Sequence, residues 1–173
     1  MSEEKIKKVN LTFEDLLDDY TNVSVRAAPG ADVVVGSFYD LRVFEDESIE
    51  EICSNYIINC LPVNLHMVAI KEWWRILKPG GKLFVFCPDG NLISKNYVDG
   101  LINIIEFNKL LFQNNNQNSI YAEYVPRCAF DLPRLVFLCT FYGFEFEQTA
   151  KRPNAYKYEL GIECKKIETK YPY

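Results

Sequence analysis

Apolar positions fall into short strand-like runs that take turns with longer runs of helical spacing. Ile6 to Leu11 predicts a first strand. Thr12, with Asp15 three residues on, can cap a helix over Phe13 to Asp19, a variant of the capping box. Asn22 to Val25 alternates and predicts a second strand, and the turn signal at 27–30 leads to a third over Asp32 to Val35. Glu51 to Ser54 predicts the fourth. Leu65, Val68, Ala69, Trp73, Ile76 and Leu77 then share a broad helical face, and Lys78-Pro79-Gly80-Gly81 stops that helix. Lys82 to Cys87 is strongly apolar and predicts the strand at the sheet centre.

The second half repeats the alternation. Val98 to Phe112 predicts a helix, Gln113 to Asn118 a polar loop, and Asp131 to Tyr142 a helix ended by Gly143. Phe144 to Thr149 and Tyr156 to Lys165 predict two strands joined by a hairpin-like turn at 150–155. The order predicts an α/β fold: a mostly parallel central sheet, an antiparallel C-terminal hairpin, and helices on both faces.

Bulk properties narrow the picture little further. A length of 173 residues suits a single domain over 1–173, and 49% hydrophobic with 25% charged residues is ordinary globular composition. A net charge of -5 argues against a nucleic-acid-binding surface. The first ten residues hold no apolar leader segment, and no apolar run approaches the ~18 residues that span a membrane. The six cysteines show no metal spacing and lie mostly in apolar runs, so they read as buried thiols in a reducing cytoplasm. The single histidine, His66, reads as a helix-flank residue and cannot anchor a multi-histidine metal site, so no metal is expected.

Three stretches carry a family resemblance. "AIKEWWRILKPGGKLFVFCPD" (Ala69 to Asp89) is similar to the helix, KPGG turn and fifth strand of class I S-adenosylmethionine-dependent methyltransferases. "FEDESIEEI" (Phe44 to Ile52) resembles the acidic turn before their fourth strand. "CAFDLPRLVFLCTFYGFEFEQ" (Cys128 to Gln148) resembles their last helix and sixth strand. From about Lys7 to Lys165 the chain looks most like the small type 11 group, often found near polysaccharide-tailoring genes. The resemblance implies a Rossmann-like methyltransferase sandwich with S-adenosylmethionine as cofactor.

These matched pieces are framework; the cofactor contacts lie elsewhere, and there the chain departs from the pattern. Thr12-Phe13-Glu14 stands where the family has Gly-x-Gly after its first strand, so two positions that need a bare backbone carry side chains. Thr12 and Asp15 can satisfy the helix N–H groups that would otherwise meet the ligand carboxylate. Glu14 and Asp15 also place negative charge beside that site. One such contact near ~4 Å opposes binding by roughly 4 kcal/mol at an effective dielectric of ~20. Ser24 replaces the acidic residue for the ribose hydroxyls, and Gly36-Ser37 replaces the Gly-Asp that reads adenine, with Asp40 three residues on. The family's His-x-x-Glu-His reads here Tyr56-Ile57-Ile58-Asn59-Cys60.

Three functional readings stay open at this point. One is a methyltransferase-like protein with an eroded cofactor site, non-catalytic, serving as a scaffold or partner subunit. It would form a homo- or hetero-oligomer with an active methyltransferase or a glycan-modifying enzyme. The alternative is an active enzyme with an atypical site, O-methylating a sugar or another small molecule. That chemistry needs a base, for which Asp89, Asp40 and His66 are candidates. If a cofactor binds, Asn10, Thr12, Ser24, Ser37, Asp40 and Ser54 lie on the expected carboxyl edge of the sheet. A different ligand, a nucleotide or sugar, is the remaining reading.

Overall fold

The computed structural model describes residues 6–13, 15–27, 29–112, 125–153 and 155–167. Their strands are β1 (Lys8–Leu11), β2 (Thr21–Ser24), β3 (Val33–Val34), β4 (Ile49–Asn55), β5 (Leu77–Pro88), β6 (Phe144–Thr149) and β7 (Glu159–Lys166). They form one 7-stranded sheet in the order β3-β2-β1-β4-β5-β7-β6. β1 to β5 pair in parallel, whereas β7 pairs antiparallel with both β5 and β6. The mixed sheet matches the expected fold class. The polar loop expected at Gln113 to Asn118 lies outside the described residues.

The core follows the strand pattern. Val9, Leu11, Val23, Ile52, Leu83 and Val85 are fully buried, as strands covered on both faces require. Between β4 and β5 runs helix α1 (Val63–Ile76), which buries His66, Ala69, Ile70, Trp73, Trp74 and Ile76. The stripe therefore runs along a face rotated from the one expected: Val68 is exposed, while His66 lies inside the core. The Trp73 indole N–H donates to the Phe38 carbonyl at 2.8 Å.

As expected, the helix stops at Lys78-Pro79-Gly80-Gly81: α1 ends at Ile76 and β5 begins at Leu77, its pairing with β4 jumping from Ile49 opposite Leu77 to Glu51 opposite Lys82 across this stretch. Gly80 sits at φ +76, and a Cβ on Gly81 would lie 2.8 Å from the Lys78 carbonyl oxygen, so both glycines are needed for this tight passage. A buried lysine finishes the junction. Lys166 Nζ on β7 donates to the Leu77 and Trp74 carbonyls at 2.7 and 3.0 Å, closing the C-terminal end of α1. The same ammonium lies 3.7 Å from the Trp74 ring centroid and 3.2 Å from Glu47 Oε1.

Two helix expectations are corrected. Among the described residues, Phe13 and those from Asp15 to Asp19 form no helix, because only nine residues (12–20) separate β1 from β2. A parallel crossover with a helix needs about a dozen or more. Their backbone groups bond to side chains instead. Asn10 Nδ2 donates to the Asp15 carbonyl at 2.7 Å, Asn22 Oδ1 accepts from Leu17 N at 3.0 Å, and Asn22 Nδ2 donates to the Leu17 carbonyl at 3.2 Å.

The helix expected over Val98 to Phe112 forms only in its second part, and a separate helix that the sequence pattern did not predict precedes it. Helix α2 (Gly90–Val98) begins at Asp89, whose Oδ1 accepts from Leu92 N at 2.9 Å, and Gly100 at φ +70 follows its end. Helix α3 covers Ile104–Phe112 and α4 covers Leu132–Thr140. Among the described residues, the four α-helices all follow β4, and the β1–β2 and β2–β3 connections contribute none.

Candidate functional site

The strand order reverses between β1 and β4: β2 and β3 lie to one side, β5, β7 and β6 to the other. In open α/β sheets the ligand crevice forms at the carboxyl ends of the strands at such a reversal. Asn10 and Asn55, near the carboxyl ends of β1 and β4, meet there and are buried. Asn55 Nδ2 donates to Asn10 Oδ1 at 2.7 Å, and Asn10 Nδ2 donates to Asn22 Oδ1 at 2.8 Å. Three amides thus link β4, β1 and β2 into one relay. Asn22 N adds a bond to Asp32 Oδ2 at 2.7 Å, tying in the residue just before β3.

Above this relay sits an arginine from the β6–β7 connection. Because β7 runs antiparallel, with Glu159 opposite Pro88, that connection lies at the carboxyl edge. Arg152 Nη1 is 3.1 Å from Asp15 Oδ2 and 3.5 Å from Asn55 Oδ1. Its Nε and Nη2 both donate to Glu159 Oε2, at 2.8 and 2.5 Å. The guanidinium also lies over two rings, 5.1 Å from the Tyr56 centroid and 5.5 Å from that of Phe86.

Burial alone would lower the Arg152 pKa, but its bonds and attraction to Glu159 more than offset this, so the group is held charged. The Tyr56 hydroxyl donates to the same Glu159 oxygen at 2.7 Å; burial, then that bond, pushes its pKa upward.

The first loop is filled in a second way. Thr12 Oγ1 accepts from Asp15 N at 2.8 Å, so the cap read from the sequence forms without the helix. The Phe13 ring packs edge-on against Phe38, centroids 5.2 Å apart at 84°. Phe38 follows β3, so this contact joins the loop after β1 to the loop after β3. Glu14 lies outside the described residues.

The other sequence-nominated residues take varied positions. Ser24 is buried at the end of β2. Ser54 is buried on β4, and its Oγ has no hydrogen-bond partner among the described residues. Ser37 and Asp40 pair across a small turn, and Asp40 forms a two-bond contact with Arg42 at 2.6 and 2.7 Å. The bond to Arg42 is what holds the Asp40 carboxyl below its ordinary range. Among the nominated bases, Asp89 caps α2, and His66 Nε2 lies 3.1 Å from the buried Leu61 carbonyl. Burial lowers the His66 pKa. The structure therefore brings Asn10 and Thr12 to the switch point beside Ser54, and sets Asp40, Asp89 and His66 to other tasks.

Beside the filled region a cleft of ≈ 320 Å³ remains, lined by Val25, Gly36 to Tyr39, Cys60 to Pro62, Leu65 and Arg127. Its one thiol is poorly suited to nucleophilic work, because burial pushes Cys60 up to about 12. Among the described residues no group of three or more His, Cys, Asp or Glu side chains is placed to hold a metal ion. No described helix is long and apolar enough to cross a membrane.

Sequence reading missed Asn22, Asn55, Arg152 and Glu159. The asparagines carried a signal: Asn10, Asn22 and Asn55 are amides on or beside otherwise apolar strands, where burial demands partners. Arg152 carried none that pointed to the switch point, because its partner there, Asp15, lies 137 positions away.

The strand order and the matched framework define a class I methyltransferase fold. A family model described as a methyltransferase domain matches residues 8–85, from β1 into β5, which bears out the type 11-like resemblance. A SAM-dependent methyltransferase of Methanosarcina mazei superposes with a TM-score of 0.57 at 16% identity, covering 95% of this chain and 94% of that one. The 1,6-didemethyltoxoflavin-N1-methyltransferase of Burkholderia thailandensis, solved with its substrate and S-adenosylhomocysteine, gives 0.60 at 12% identity over 94% and 72%. A Haloferax volcanii protein assigned as a methyltransferase, solved in complex with a methyltransferase activator, gives 0.57 at 12% over 96% and 84%. These likenesses establish the fold. No curated protein matches the sequence.

Proposed function

We propose that this methyltransferase-fold protein is non-catalytic and acts as a partner or scaffold subunit. The observation that carries the reading is Arg152, whose guanidinium bridges Asp15, Asn55 and Glu159 across the reversal of strand order. In the family the methionine part of the cofactor passes the end of the first strand. Here that passage holds an ion-paired side chain, a Thr12–Asp15 turn and the Phe13–Phe38 contact. The residues present do not fit that half of S-adenosylmethionine. A cofactor carboxylate would also meet Asp15 where the family offers free N–H groups at a helix start.

The partner we propose is an active methyltransferase or a glycan-modifying enzyme, joined in a hetero-oligomer. A neighbouring fold solved with an activator supports such a pairing. Titration with S-adenosylmethionine and S-adenosylhomocysteine, read by calorimetry and melting temperature, tests the reading. No heat and no stabilisation are expected. A ligand at 100 times its Kd would stabilise by about 2.7 kcal/mol, and a shift of that size sinks the proposal.

A second reading keeps an atypical enzyme acting on the hydroxyl of a sugar or small molecule. The ≈ 320 Å³ cleft favours it, since its lining includes Gly36 and Ser37, which align with the pair that reads adenine in the family the chain resembles. Under that reading the same titration gives saturable heat.

A further inference from the structure

Arg152 is enclosed as a ligand would be. Aromatic faces of Tyr56 and Phe86 flank its guanidinium, and carboxylates of Glu159 and Asp15 meet its edge. This is the chemistry of an organic-cation cage: ring quadrupoles for the flat faces, carboxylates for the N–H groups.

The fit is incomplete in a telling way. Arg152 places Nε and Nη2 on one oxygen of Glu159, which also accepts the Tyr56 hydroxyl. The other oxygen, Glu159 Oε1, is buried and has no hydrogen-bond partner among the described residues, on a side chain only 2% exposed. A tethered guanidinium thus crowds one oxygen and leaves the second bare, whereas an untethered one can set its fork across both. Tyr56 is also held at φ +57, a conformation that side chains other than glycine adopt at a cost.

We propose that this cage is an organic-cation site in which Arg152 is a tethered occupant, and that a free alkylguanidinium, arginine among them, competes with it. Binding in the unsubstituted chain then requires the β6–β7 connection to release Arg152. Apparent affinity is lowered by the fraction of molecules in which it is released. The inference goes beyond the partner-subunit reading and does not depend on it: its readout uses no S-adenosylmethionine.

Ethylguanidinium chloride is titrated into Arg152→Ala and the unsubstituted chain, with sodium chloride and ethylammonium chloride as matched controls. Melting temperature and calorimetry are read together. Arg152→Ala should melt about 4 °C or more below the unsubstituted chain, and millimolar ethylguanidinium should restore most of the loss. The unsubstituted chain should need about tenfold more ligand for a comparable shift. Adding Glu159→Gln to Arg152→Ala should abolish the restoration. The proposal is overturned if Arg152→Ala shows no shift, or if both chains respond equally. Equal responses to ethylguanidinium and either control salt overturn it as well. Should Arg152→Ala not fold, Arg152→Gln takes its place. A chain that stays unfolded with and without the cation gives Arg152 a purely structural role and also overturns the proposal.

Discussion

Asn55 on β4 donates its side-chain N–H to the side-chain carbonyl of Asn10 on β1, at 2.7 Å, with both residues buried. Two amides therefore sit face to face where a nucleotide-binding α/β sheet opens its crevice. The Asn10 amide spends both ends inside the protein, since its nitrogen also serves Asp15 and Asn22.

Replacing that amide should be costly. Asn10→Ala leaves Asn55 Nδ2 without its partner and takes one donor from the Asp15 carbonyl and one from Asn22 Oδ1, which keeps the Leu17 N–H. With a buried unsatisfied group worth roughly 1–3 kcal/mol, a net loss of about 2 kcal/mol is expected. The urea midpoint should fall with the m-value unchanged. In a double-mutant cycle with Asn55→Ala the two losses should be less than additive.

Gly161 on β7 is a packing glycine. A Cβ there would lie 2.5 Å from the Phe86 ring and 2.5 Å from the Ala150 carbonyl oxygen. Gly161→Ala should destabilise by about 1–3 kcal/mol through overpacking. Phe86→Leu relieves only the ring contact, so thermal melts of the pair should show partial recovery, with the carbonyl clash remaining.

Lys166 is fully buried, yet its ammonium holds two carbonyls at the end of α1. Lys166→Met keeps much of the volume and removes every donor. A loss of about 2 kcal/mol is expected, since two backbone acceptors lose their partner. Fraying should appear as faster amide exchange in the last turn of α1, near Trp74 and Ile76, before it appears elsewhere.

His66 gives the chain a pH dependence in mildly acidic solution. Burial lowers its folded pKa below the ordinary 6.5, so the unfolded chain binds the proton more readily. Stability should be complete above about pH 6.5 and fall as pH drops from there through the depressed folded value. His66→Gln should flatten this part of a stability-versus-pH curve measured by urea unfolding. The carboxyls of Asp40, Glu50 and Glu163 are held below their ordinary ranges by bonds to Arg42, Lys78 and Gln148, so their own contribution is lost only in more acidic solution.

The central sheet was legible because its strands are buried on both faces and announce themselves as apolar runs, Lys82 to Cys87 above all. The hairpin of β6 and β7 was legible from its turn residues. The helix over Phe13 to Asp19 was misread because Thr12 and Asp15 form the local cap, and a cap does not say whether enough chain follows to build turns. The Asp99-Gly100 turn was a break signal inside the apolar run from Val98 that outranked its periodicity. At the site, absent glycines could be read directly. The cation that meets Asp15 there could not, because pairing between Arg152 and Asp15 is set by the antiparallel turn of β7 and leaves no local pattern.

The brevity of the β1–β2 connection makes its divergence hard to reverse. Writing glycines into positions 12 and 14 would remove two side chains, yet nine residues still fall short of the dozen or so that a helical crossover needs. Asparagine side chains would continue to claim the backbone of Asp15 and Leu17. Regaining a helix start at that edge takes an insertion rather than a substitution, so single-residue reversion cannot retrace the path by which the two forms parted.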